Sequence, residues 1–445
     1  MNTTIFLIAI WFFLLYFLFF KQFKTNDFFA PISLISLIYL FRNVPYILFV
    51  AFDEDFLNPY LLNYFKIYNP ISIESAFLKY TIIQTIAFLC LIAGMKYMLN
   101  DRTNYKLKPF KFKYRPLKIS VYIAFFVGLS SFLIFVSEIG GILYLLENMN
   151  QRIQIQSGQY LLQLRPLMGI ATVFSVVLIK LGGNKTIDKI AFILFFIISV
   201  FVFSSTGGRK DSVFLIMLSI GAYYYYLKDD RINFFDQTRL ILISLGIFFY
   251  IFFIPLIRST DGFNNLLKGD LNLIEEANIS DFFSNISYTY IDVFTVNHFN
   301  NENRWNFASL KTIPSNIFDR KEAYLRPPID EGMYFVSSIV WGGNYKPLVA
   351  RSQLREFSFP IENMGFSYAN ALLPGVVIFF FLLGIILAYI YKLFRISSFN
   401  PFLFYLYLFA VFNFNFSSLR LITMVVFLIL LGIFSLIYRF IKNLS

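Results

Sequence analysis

STGGRK, Ser205 to Lys210, joins an apolar run that ends at Phe203 to another that begins at Val213. A fixed positive charge thus sits between two segments suited to hydrocarbon. The reading of this turn decides the fold, because a chain that does this leaves a membrane face and goes straight back in. Gly207 and Gly208 let backbone N–H groups turn toward an anion, and Arg209 offers a planar fork of donors that matches phosphate oxygens.

Outward from the turn, the chain keeps the same character. Its 445 residues are 58% hydrophobic and 21% aromatic, and only 14% are charged, against roughly 25% in soluble domains. Apolar runs of about 18 to 20 residues recur, each long enough for a hydrocarbon core roughly 30 Å thick. Alternating strand patterns are absent, which disfavours a barrel. Cys90 is the single cysteine and leaves no disulfide or cysteine-based metal site. His298 is the single histidine, so a multi-histidine metal site is excluded and histidine-centred catalysis disfavoured. The first apolar run lacks a preceding basic region and an A-x-A-like cleavage site, and is expected to remain as a span.

The expected fold is an all-α polytopic integral membrane protein of about eleven transmembrane helices, within 10 to 12, with one large extracytoplasmic loop region. The spans are expected at 4–20, 29–50, 80–97, 119–137, 161–181, 190–204, 212–227, 240–257, 366–391, 401–417 and 421–438. They divide into N-terminal membrane helices over 1–257, about eight spans; a loop region over 258–365; and C-terminal membrane helices over 366–445, about three spans. The short connecting segments at 21–28, 96–118, 180–189, 228–239, 392–400 and 439–445 hold 20 of the 38 Lys and Arg but only 6 of the 26 acids, leaving 18 and 20 elsewhere. By the positive-inside rule these segments face the cytoplasm, which puts the N-terminus outside, the C-terminus inside and 258–365 outside. The +12 net charge is therefore an orientation signal, and nucleic-acid binding has no soluble basic patch to support it. About a hundred residues is too long for a connector, so 258–365 is expected to be structured, with helices around Leu271–Phe283 and Met333–Val340.

Arginine usage is the sharpest signal. The cytoplasmic segments carry 14 Lys and 6 Arg; the rest of the chain carries 7 Lys and 11 Arg. Arg42, Arg165, Arg209, Arg258 and Arg420 fall inside expected spans or at their outer ends, where a charge is costly unless paired or hydrated. Guanidinium binds phosphate bidentately, so such arginines suit a diphosphate headgroup. The competing account is that they pair with nearby acids such as Asp211, or snorkel. Among the acids, Asp330 and Glu356 read as surface ion-pair partners, while Glu331 and Glu362 are candidate general bases toward a sugar hydroxyl. Arg351 and Arg355, with Trp305 and Tyr324, are candidate glycan contacts; Trp341 and Tyr334 belong to the same reading, and packing or interfacial anchoring ranks ahead of stacking for these aromatic rings. His298, in TVNHFNNEN, reads as a solvated loop residue. The sequons at Asn278 and Asn285 are short chance-level matches, and Gly207-Gly208 does not make a Walker loop.

The run FVFSSTGGRKDSVFLIM, from Phe201, resembles the outward-facing G-x-R motif of bacterial oligosaccharide repeat-unit polymerases, the Wzy-type O-antigen and capsular polysaccharide polymerases. The segment IENMGFSYANALLPGVVIFFFLLGIILAYIYKLF, from Ile361, is similar to a late span of that family, as is the layout of one large outer loop before the last few spans. The resemblance covers most of the chain in layout and these two stretches in sequence. It implies a metal-independent glycosyltransferase of the bacterial inner (cytoplasmic) membrane with no cofactor. Its partners would be polyprenyl-diphosphate-linked oligosaccharides, membrane lipids and a chain-length regulator protein. Arg209 would then be catalytic and bind the diphosphate together with Arg258, Arg420 and Arg165, with Glu362 or Glu331 taking the acceptor proton. Two alternatives stay open: an O-antigen ligase, which resembles these polymerases in layout and uses an outer-loop histidine that only His298 supplies here, and a flippase or transporter of lipid-linked oligosaccharides.

Overall fold

The structure is a computed structural model that describes residues 2–23, 27–53, 56–100, 111–147, 159–183, 185–205, 209–227, 287–318, 322 and 324–444. Among them every regular element is a helix. In chain order these are α1 Thr3–Phe23, α2 Pro31–Phe52, α3 Pro59–Ile67, α4 Ile73–Asn100, α5 Tyr114–Glu138, α6 Ile142–Glu147, α7 Pro166–Leu181, α8 Thr186–Ser205 and α9 Arg209–Tyr226. After the undescribed stretch come α10 Thr289–His298, α11 Thr312–Phe318, α12 Glu331–Trp341, α13 Asn363–Ile396, α14 Pro401–Asn413 and α15 Ser418–Leu444, with short 3₁₀ turns between some of them.

Eight of the described helices are long and apolar enough to cross a membrane: α1, α2, α4, α5, α7 with the turn before it, α8, α13 and α15. These correspond to eight of the expected spans. The expected span at 212–227 is the helix α9, which is only 18 residues long and opens on three charged residues, Arg209, Lys210 and Asp211, and so falls outside the eight. The one at 401–417 is shorter than expected, since α14 stops at Asn413 and the chain turns through Phe414–Ser417 before α15. The one at 240–257 lies outside the described residues, as does the helix expected around 271–283. The helix expected near 333–340 is α12, started by the Asp330 side chain accepting from Gly332 N–H and closed by Gly342 in the left-handed region.

The chain divides into two compact units. Unit 1 takes 1–104, 279–392 and 413–424; unit 2 takes 105–278, 393–412 and 425–445. In unit 1, α1 shows how a span is built. Leu7, Trp11, Leu14 and Leu18, at spacings of four and three, are 48–60% exposed on one face, while Ile5, Phe12 and Tyr16 are buried on the other. In a bilayer the first face meets lipid. The start of α1, the end of α2 and the start of α4 lie together, since Asn2 N–H donates to the Ala51 carbonyl and the Asn2 side chain to Glu74.

Helices α4 and α13 run parallel and touch at their backbones. A Cβ on Gly94 would lie 2.1 Å from the Phe381 carbonyl oxygen, and one on Gly384 would lie 2.2 Å from that of Leu91. Helix α13 is also broken near its start, where Ala371 and Leu372 leave helical geometry just before Pro374. Part of the 258–365 region is interior to unit 1. Helix α10 is buried along its length and packs beside α2 and α4.

In unit 2, α7 is the central helix, buried at every position from Leu167 to Ile179 and packed against α5, α8 and α9. Phe174 lies against Phe402 and Phe434, and Tyr405 stacks on Phe427, so aromatic side chains fill this core.

Candidate functional site

The most unusual chemistry in the described chain is an ion pair inside unit 1. Arg42 lies ten residues before the end of α2, about 15 Å in along a helix. A charge at that depth must be paired. Arg42 Nη2 meets Asp292 Oδ2 of α10 at 2.7 Å, and its Nε donates to the Ser287 carbonyl at 2.9 Å. Pro45 has no N–H to return to the preceding turn, which loosens α2 close to this contact. Around the pair runs a neutral polar network. Asn43 donates to the Tyr16 hydroxyl of α1 and accepts from Thr289, and Gln84 of α4 also reaches Tyr16.

Two atoms of this cluster are buried with no hydrogen-bond partner among the described residues: Asp292 Oδ1 and the Tyr80 hydroxyl. A buried carboxylate oxygen without a donor is costly, and such exceptions concentrate where a protein does chemistry. Burial pushes Asp292 up to about 6; Arg42 opposes the rise and the negative charge of Glu362 adds to it. Glu362, just before α13, is only partly buried and interacts electrostatically with both Arg42 and Asp292. Sequence reading singled out Arg42 and Glu362 but missed Asp292. The available signal was an acid inside the mostly apolar run from Ile286 to Val296.

The other expected site residues have varied placements. Arg165 is already neutralised: its guanidinium pairs with Asp211 and lies over the Phe203 ring. This is the pairing with a nearby acid that competes with the assignment of Arg165 to a diphosphate. Arg209 opens α9, with its side chain outside the described set, and Arg258 lies outside it altogether. Arg420, in the first turn of α15, interacts electrostatically with Asp330. Asp330 is a helix cap, not a surface ion-pair partner, and burial raises its pKa.

Glu331 is 1% exposed, and its Oε1 accepts from Ser418 N–H at 2.7 Å, capping α15. Burial raises its pKa as well. Its place, away from solvent, is that of a helix cap. Trp305 is 2% exposed, with Phe299 and Tyr334 against it, so its ring has no face for a sugar. Tyr324 is exposed, Arg355 lies over the Trp341 ring, and Arg351 begins a short turn bonded to Arg326. These three remain available to a glycan.

His298 is not a solvated loop residue. It ends α10 buried, its Nδ1 hydrogen-bonded to the Tyr64 hydroxyl at 2.8 Å and its ring stacked on Phe294. Burial holds its pKa down to about 4. A cationic group depressed in the folded state supports stability above the unfolded pKa of roughly 6.5 and loses that support as pH falls through the folded value. Melting of the purified protein should therefore weaken between about pH 6.5 and 4, by up to about 3 kcal/mol from this residue. In His298→Gln that part of the pH dependence should disappear; an unchanged slope would refute the assignment.

The chain matches no family model, no curated protein and no solved structure.

Proposed function

We propose that this protein polymerises polyprenyl-diphosphate-linked oligosaccharide repeat units at the outer leaflet of a bacterial cytoplasmic membrane, in O-antigen or capsule synthesis. The bond between the donor's anomeric carbon and its phosphate oxygen breaks as that carbon bonds to an acceptor sugar oxygen. The acceptor proton passes to Glu362, and the polyprenyl diphosphate leaves with the electron pair. Arg209, Arg258 and Arg420 neutralise the departing diphosphate, a role that for Arg209 and Arg258 rests on sequence alone. Arg351, Arg355 and Tyr324 contact the glycan. The chain spans the membrane about eleven times, with the N-terminus outside, the C-terminus in the cytoplasm and 258–365 on the outer side.

The observation that carries this reading is the placement of Glu362. It is partly accessible, sits just before a long span, and interacts electrostatically with the Arg42–Asp292 pair. The topology is supported by the gathering of the α1 and α4 starts with the α2 end in unit 1, as strict alternation requires. A ligase reading needs an outer-loop histidine free to act, and His298 has Nδ1 bonded to the Tyr64 hydroxyl and a pKa lowered by burial.

Reconstitution with purified lipid-linked repeat units tests the proposal, with chain length read on a gel. The wild-type protein should make a ladder, and Arg209→Ala should lose the long chains while still inserting into the membrane. Unchanged laddering would reject the mechanism.

One observation favours a second reading, transport of lipid-linked sugars. Arg42 and Asp292 lie among α1, α2 and α4, α10 is embedded beside them, and α13 is broken. Buried charge and interrupted helices are what a substrate pathway uses. Movement of a labelled lipid-linked repeat across a vesicle membrane without elongation would select it.

A further inference from the structure

Where α10 ends, unit 1 holds a pocket of about 310 Å³, at the lower end of the roughly 300–1,000 Å³ range of small-molecule sites. Five asparagines line it, Asn69, Asn297, Asn300, Asn303 and Asn344, together with His298. None of the lining residues is an acid, a lysine or an arginine, and His298 is neutral. A phosphate or carboxylate would find no cation there. An apolar ligand would find a wall of amides.

The amides are fixed in advance. The Asn69 side chain donates to the Asn297 carbonyl, Asn297 to the carbonyls of Ala76 and Val293, and Asn303 to that of His298. Side chains held this way lose little freedom when a ligand arrives. The backbone approaches closely on the other wall, where Gly342 has φ +68° and a Cβ would lie 2.0 Å from the Tyr68 ring. His298 Nε2 is buried with no partner among the described residues, and its residue is nine-tenths buried. At the rim, Asn344 is exposed.

Amides donate and accept together, as sugar hydroxyls do, and an aromatic ring beside them covers the apolar face of a pyranose. We propose that this pocket is a binding subsite for one uncharged sugar residue. The proposal rests on the reading of the protein as one that handles lipid-linked glycans for the source of that sugar, and it adds that part of the repeat unit lodged here is neutral.

The test is saturation-transfer NMR on the full chain in nanodiscs, needing no turnover. The probes are methyl glycosides of glucose, galactose, mannose, rhamnose and N-acetylglucosamine, with methyl glucuronide and glucose 6-phosphate as charged counterparts. At least one neutral glycoside should bind, the charged pair about tenfold more weakly. Asn344→Trp should abolish binding and Asn344→Ala should weaken it several-fold, with melting curves like the wild type. Absence of binding by every neutral glycoside, undiminished binding by Asn344→Trp, or preference for the charged probes would each overturn the proposal. A protein that binds neutral glycosides but builds no ladder would leave this subsite standing and remove the polymerase reading.

Discussion

Asp292→Ala should be among the most damaging single substitutions in this protein. It leaves the charge of Arg42, whose side chain is only 20% exposed, without its partner, and breaking a buried pair from one side costs up to about 3–5 kcal/mol. The cost does not measure what the pair contributes, because a well-packed apolar replacement of both partners is often neutral or stabilising. Three proteins therefore separate the roles: Asp292→Ala, Arg42→Leu, and Arg42→Leu combined with Asp292→Leu. Heating in detergent followed by size-exclusion chromatography should show both single variants aggregating at lower temperature and the double variant recovering much of the loss. If the pair also sets the electrostatics of Glu362, the recovered double variant should still fail to elongate lipid-linked repeats. A double variant that recovers stability and makes a full ladder would reduce the pair to a structural fixture. If Asp292→Ala melts with the wild type, the pair does not carry the fold at all.

The same pair shows what could and could not be read from sequence. The spans were legible because crossing a membrane depends on a local property, apolar length, and α1, α5 and α8 need no partner to reveal it. Arg42 was legible as an anomaly, a charge inside such a run. Its partner was not, since Asp292 stands 250 residues away in a ten-residue helix. TYIDVFTVNH carries an acid and a histidine and has no span-length apolar run, so it reads as loop. Only tertiary packing makes α10 an interior element. The Arg165 pair is legible because Asp211 directly follows the conspicuous STGGRK turn, where an acid is the natural partner for a nearby arginine. Glu331 and Trp305 are both buried, Glu331 as a helix cap and Trp305 in the packing role that ranks ahead of stacking. Polarity and aromaticity mark residues that can reach a ligand, but burial decides whether they do, and neither residue retains access.

The contact between α4 and α13 leads to the second large effect. Neither helix can bear a side chain where they meet, since the carbonyl of Phe381 occupies the place of a Gly94 Cβ and that of Leu91 the place of a Gly384 Cβ. Each added atom would be about 1 Å too close even for contact with a mobile side chain, and here the obstacle is backbone. Gly94→Leu should force the helices apart, and with them the start of α13 that carries Glu362. Overpacking of this kind typically costs 1–3 kcal/mol, roughly, and more where backbone blocks relaxation. Gly432 in α15 supplies the control, because a Cβ there meets nothing within 4 Å. Gly432→Ala should therefore melt at or above the wild-type temperature, gaining up to about 1 kcal/mol from helix propensity. The informative result is the contrast between two glycine substitutions in two apolar helices. If Gly94→Leu and Gly432→Ala behave alike, the close crossing is not what seats α13, and the position of Glu362 must be set by the turn at Ala371–Leu372 instead.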